Sequence, residues 1–165
     1  MSDEILDEFE YEERYDKAYN ALVKYLAISS RSEKECRDKL YEKGFHKNEV
    51  EYAIDRAKGY RYINDEEYVR LYLSFNKSRY GSKKLAYKLT VEKGVDKTLV
   101  DNMIEDEIGE EFERESAKSI AEKYAKQKKI TDKSGAQKVG AYLYQKGYSW
   151  GVINSVLDNL FNTFD

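Results

Sequence analysis

The chain has 165 residues, with 29 basic and 32 acidic side chains and a net charge of −3, which is one domain's worth or a short array of small units. A single cysteine, Cys36, and a single histidine, His46, exclude an internal disulfide framework, a cysteine-based zinc finger and a His-rich metal site. No apolar run approaches the ~20 residues that span a bilayer, and the acidic start MSDEILDEFEYEER lacks a secretion signal, so the chain reads as cytoplasmic. Proline is absent and 37% of residues are charged. Without proline there is no fixed φ and no missing backbone donor, which suits continuous helix, and the abundance of Ala, Leu, Lys and Glu favours an all-α fold. Sixteen tyrosines are expected to fill core with their rings and to reach the rim with their hydroxyls.

In chain order, residues 1–13 form an acidic extension. The first helix carries Ala18, Ala21, Leu22, Tyr25 and Ile28 at three-and-four spacing. Ser32 with Glu35 predicts a capping box at the start of a short second helix, which stops at Gly44, where a left-handed backbone favours glycine. Asn48 is read as the cap of a third helix from Val50 to about Lys58. A second set opens near Asn64-Asp65, caps again at Ser82, stops at Gly94 and restarts after Asp96. A third opens near Gly109 with a long helix carrying Phe112, Ile120, Ala121 and Tyr124, continues through Val139, Tyr142 and Leu143, stops at Gly147 and restarts at Ser149. The last helix has a clean stripe of Ile153, Val156, Leu157, Leu160, Phe161 and Phe164. Trp150, at its start, is read as packing.

These elements repeat. Lys43-Gly44-Phe45, Lys93-Gly94-Val95 and Lys146-Gly147-Tyr148 are spaced by 50 and 53 residues. Eight residues before each glycine stand Cys36, Ala86 and Val139; six after stand Val50, Val100 and Ile153. Nine after stand Ala53, Met103 and Val156, and ten after stand Ile54, Ile104 and Leu157. Offsets of six, nine and ten share one helix face. The expectation is three tandem three-helix repeats, residues 14–60, 61–108 and 109–165, nine helices in an elongated curved array whose modules must stack to bury their cores. The middle copy departs in one place: Leu89 lies five before its glycine, where Leu40 and Leu143 lie four before theirs. The extra residue requires a local bulge or a shifted helix start.

No phosphate-binding glycine loop and no catalytic constellation emerges, so no enzyme is expected. The adjacent acids Glu66-Glu67 and Glu110-Glu111 point to different sides of a helix. Cys36 occupies a core position, and His46 lies at a helix joint. Charge, however, is segregated. Residues 1–15 carry seven acids and one base, and residues 101–115 eight acids and one base. Between them the 24 residues Tyr68–Val91 carry six bases and no acid: Arg70, Lys77, Arg79, Lys83, Lys84 and Lys88. Tyr80 and Tyr87 interleave with them. A second basic stretch, Lys118–Lys133, has six lysines and two acids. Basic groups among aromatics suit a nucleic-acid backbone or an acidic protein groove, so these six side chains are the candidate partner- or DNA-binding residues.

The wording of the first two repeats is more specific than its periodicity. Ser32-Glu33-Lys34-Glu35-Cys36, Lys39-Leu40, Lys43-Gly44-Phe45, Val50, Ile54, Gly59, Tyr62-Ile63-Asn64-Asp65, Tyr68 and Tyr80-Gly81 follow in order, and Lys146-Gly147-Tyr148 fits the third copy. This resembles the RecX family of bacterial recombination regulators over roughly residues 14–162. Cys36 stands where that family usually has leucine. The resemblance implies three three-helix repeats. It also implies binding to the RecA recombinase, usually as a filament on single-stranded DNA. By lying in the filament groove or blocking its growing end, such a regulator restrains strand exchange and co-protease activity, and so DNA repair and the SOS response. The expectation is a monomer that needs no cofactor and makes no membrane contact. Two alternatives stand beside it: a helical DNA-binding protein acting without a recombinase, since the helix–glycine–helix joint resembles a helix-turn-helix, and a protein scaffold with no nucleic-acid link.

Overall fold

The computed structural model describes residues 2–161, with side chains described for residue 8 and from residue 10 onward. Among the described residues the chain forms nine α-helices, in three sets of three, and no strand. Its contacts divide it into two compact units, Met1–Tyr68 with Lys93–Val95, and Val69–Glu92 with Asp96–Asp165.

In the first unit, α1 (Ser2–Ile28) runs unbroken from the acidic extension into the first repeat. No proline or glycine interrupts it, and acids at a helix N-terminus are favoured by its dipole. Ala18 and Leu22 are fully buried, but Ile28 is 77% exposed, contrary to its expected place on the stripe. It is the last residue of α1, beyond Tyr25 and Leu26, which still pack against the core. The capping box forms as expected before α2 (Glu33–Glu42). Glu35 N–H donates to Ser32 Oγ at 3.2 Å, and Ser32 N–H donates to the Glu35 carboxylate at 3.2 Å. The buried Ser32 hydroxyl also donates to the Lys93 carbonyl at 2.6 Å. At Gly44 φ is +91°, and Phe45 N–H donates back to the Leu40 carbonyl at 3.2 Å, closing the helix end.

The next helix, α3 (Lys47–Gly59), is capped at His46 rather than Asn48. A start at Lys47 puts Glu49 at the third helical position, where its carboxylate accepts the His46 N–H at 2.9 Å. Val50, Ala53, Ile54 and Ala57 on α3 pack with Ala18, Leu22, Cys36, Leu40 and Ile63 in one core. Asn64 then accepts the Glu67 N–H at 3.1 Å and opens α4 (Asp65–Asn76).

In the second unit, α5 (Ser82–Tyr87) passes directly into a π-helical turn, Lys88–Glu92. That turn is the bulge the spacing of Leu89 required. The inserted residue lies between Leu89 and Gly94, so the register before it shifts by one. Leu85 and Leu89 are fully buried and take the places of Cys36 and Leu40, while Ala86, expected in the core, is half-buried. By the same shift the N-cap is Gly81, not Ser82. Asp96 caps α6 (Lys97–Glu107), accepting the Leu99 N–H at 3.1 Å. The third set comprises α7 (Glu110–Lys128), α8 (Ala136–Gln145) and α9 (Trp150–Phe161). Between α7 and α8, Lys129 adopts φ +57° and a short 3₁₀ turn follows, so the long helix is broken. Ala117, Ala121, Val139, Leu143, Tyr148, Ile153 and Val156 form its core. Phe164 lies outside the described residues. No helix of the described residues is long and apolar enough to cross a membrane.

Candidate functional site

The start of α5 docks on the third Lys-Gly joint, and this contact builds the site. Gly81 N–H donates to the Lys146 carbonyl at 2.8 Å, and Lys83 N–H donates to the Gly147 carbonyl at 3.1 Å. Ser82 N–H donates to the Glu113 carboxylate at 2.8 Å. The free donors of a helix start are thus satisfied from outside the helix. The approach is close enough to need glycine on both sides. A Cβ on Gly81 would lie 2.4 Å from the Gly147 carbonyl carbon, and one on Gly147 would lie 2.3 Å from Lys84 Cβ.

This docking draws cations from two segments around one ring. The Tyr80 ring centroid is 4.9 Å from Lys84 Nζ, 5.5 Å from Lys88 Nζ, 5.5 Å from Lys146 Nζ and 5.9 Å from Arg79 Cζ. Lys84 Nζ also donates to the Gln145 carbonyl at 3.4 Å. Lys146 lies 5.4 Å from the Tyr142 ring as well, which is itself stacked on Tyr124 at 4.1 Å. Each cation–π contact at an exposed site contributes about 0.5–1 kcal/mol. Of the four cations, only Lys88 has an ion-pair partner among the described residues, Glu92 at 3.7 Å. Four like charges with one neutralising carboxylate favour the approach of an anion.

The other candidates lie elsewhere. Lys77 sits 4.7 Å from the Phe112 ring, and Arg70 pairs with Glu107 at 3.4 Å. Lys83 is exposed and contributes its backbone donor to the joint. Lys118, Lys123, Lys126, Lys128 and Lys129 of the second basic stretch are all exposed. Lys146 is the member the sequence analysis missed. It belongs to a Lys-Gly pair whose glycine explains the repeat, and that structural role hid the charge of the lysine. The signal was present in its place at a joint, four residues after Tyr142.

Other reactive groups are occupied structurally. Cys36 is fully buried and burial raises its thiol to about 12. His46 is an exposed helix cap. Among the described residues no three His, Cys, Asp or Glu side chains converge as metal ligands. Trp150 is half-exposed and stacks on Tyr144 at 5.2 Å.

Comparison with known proteins gives this architecture a family. The family models described as "RecX, first three-helix domain" and "RecX, third three-helix domain" match residues 18–56 and 111–157. The chain is 33% identical over 162 residues to the Regulatory protein RecX of Clostridium perfringens (strain 13), covering 96% of this chain and 76% of that protein. It is 27% identical over 154 residues to the Regulatory protein RecX of Bacillus subtilis, covering 93% of this chain and 58% of that protein. The crystal structure of RecX from Lactobacillus salivarius superposes with a TM-score of 0.81 at 26% identity, over 90% of this chain and 97% of that one. Motif order, helical repeat and whole-chain likeness agree: the chain belongs to the RecX family of regulatory proteins.

Proposed function

We propose that this chain binds a RecA recombinase, as its filament on single-stranded DNA, and restrains its recombinase, ATPase and co-protease activities, so regulating DNA repair and the SOS response in the cytoplasm. The observation that carries this reading is the likeness, over 96% of the chain, to a protein named a regulatory RecX. The cluster around Tyr80 supports it by offering a contact of the right sign. A filament on DNA presents phosphates and carboxylates, and several weak charged contacts sum when held on one rigid unit. Arg70, Lys77 and Lys83 extend the same positive segment as further candidate contacts.

The test is the ATPase rate of the host recombinase on single-stranded DNA, titrated with this chain below one copy per recombinase subunit. The expected result is a fall in rate at substoichiometric dose. Replacing Lys84, Lys88 and Lys146 with Gln should weaken that inhibition by about tenfold or more, as removal of several interfacial charges does. Unchanged inhibition by the triple variant would remove the Tyr80 cluster from the contact. No inhibition, with tight and salt-sensitive binding to bare DNA, would favour a DNA-binding protein that needs no recombinase.

A further inference from the structure

The first unit carries a second cationic surface that the segregation of charge along the chain does not reveal. Between α1 and α2 lies an open groove of about 440 Å³, lined by Lys17, Lys24, Lys39 and Lys43 together with Tyr25 and Ile28. Lys17 and Lys24 come from α1, Lys39 from α2 and Lys43 from the cap that follows α2, so no short window of sequence collects them. Lys17 pairs with Glu13 at 3.2 Å and Lys39 with Glu42 at 3.5 Å. Lys24 and Lys43 are exposed and have no ion-pair partner among the described residues. Ile28 is a large aliphatic side chain left 77% exposed at the lip of this groove. The groove's volume lies in the ~300–1,000 Å³ range of clefts that hold small ligands.

We propose that this groove docks an acidic peptide segment carrying one apolar side chain, its carboxylates on Lys24 and Lys43 and its apolar group on Ile28. Three features favour a peptide over a nucleic-acid strand. The Tyr25 ring already holds Arg31 at 4.6 Å and Lys39 at 5.7 Å, so it is engaged by cations rather than open to a base. No arginine lines the groove, so the planar fork that grips phosphate in two-point fashion is missing. The exposed apolar group is aliphatic, which suits a Leu- or Phe-like side chain better than a base. The charge is complementary to carboxylates, and burial of Ile28 supplies the non-electrostatic part.

Fluorescence polarisation with a labelled decapeptide of Glu and Asp carrying a single Leu, added to the full chain at low ionic strength, tests this directly. The probe contains neither recombinase nor DNA, so its outcome is separate from the fate of the proposed function. Saturable binding is expected. The double variant Lys24→Glu, Lys43→Glu should weaken it about tenfold, and Ile28→Ser about threefold or more. All three side chains are exposed, and circular dichroism should show unchanged helix in each variant. Lys84→Glu, in the other unit, should leave binding unaltered. Three results would each overturn the proposal: no saturable binding, equal weakening by Lys84→Glu, or binding of an oligothymidylate of the same length that is tighter than the peptide's and lost in the double variant.

Discussion

Burial decides what Cys36 can do. Its thiol has no exposed surface, and desolvation lifts its pKa from 9.0 to about 12. At pH 8 the thiolate fraction is then of order one in ten thousand, and the thiolate is the reactive form. The native chain should therefore not react with a thiol reagent such as dithionitrobenzoate over minutes at pH 8, whereas the urea-unfolded chain should react fully. Prompt one-to-one labelling of native protein would show that α2 opens far more readily than its packing implies. Ser32 makes a complementary case among polar groups. Its buried hydroxyl accepts from Glu35 N–H and donates to the Lys93 carbonyl. Ser32→Ala removes the cap and strands that carbonyl, so it should lower stability by about 1–3 kcal/mol, read as a reduced urea midpoint with an unchanged slope.

At the scale of elements, the three joints show how one signal serves two structural purposes. Gly44 and Gly147 share a positive φ, +91° and +95°. A Cβ at Gly44 would meet nothing within 4 Å, whereas one at Gly147 would lie 2.3 Å from Lys84 Cβ and 2.6 Å from Lys84 N. Gly44→Ala should thus cost only the left-handed backbone penalty, about 1–2 kcal/mol. Gly147→Ala should cost about 1–3 kcal/mol more, because α5 must move off the joint, and amide exchange at Gly81 and Lys83 should accelerate in that variant alone. Equal costs at the two glycines would mean that the α5 contact is soft. The same joints explain what was legible in the sequence. Helix stops at glycine, the Ser32 box and the apolar stripes are local, so spacing reveals them. The π turn was legible as a discrepancy, because Leu89 had one residue too many before Gly94. What spacing could not supply was the direction of that correction. Only the packing of Leu85 in place of Ala86 shows that the register shifts upstream and moves the cap to Gly81. Lys146 escaped for the related reason that it reaches Tyr80 through a docking contact between segments more than 60 residues apart.

For the molecule as a whole, the net charge of −3 conceals a window of six bases without an acid, and the proposed contact at Tyr80 depends on that local sign rather than on the total. The structure distributes these bases unevenly. Arg79, Lys84 and Lys88 converge with Lys146 on Tyr80, whereas Arg70 pairs with Glu107, Lys77 lies over the Phe112 ring and Lys83 is exposed. If this cluster faces the phosphates of a single strand, binding must release counterions in proportion to the phosphates neutralised. Each contact contributes about −0.7 to the slope of log K against log salt for a single strand. Four cations, one of them already shared with Glu92, neutralise three to four phosphates, giving a slope of about −2 to −3. Lys84→Gln with Lys146→Gln should flatten it by about 1.4. Lys24→Gln with Lys43→Gln, in the other unit, should leave it unchanged. Oligothymidylate titrations across a salt series measure all three slopes. A wild-type slope near zero would mean that the Tyr80 cluster makes no phosphate contact on a bare single strand. A slope equally sensitive to both pairs would mean that the charge acts diffusely, with no defined contact at Tyr80.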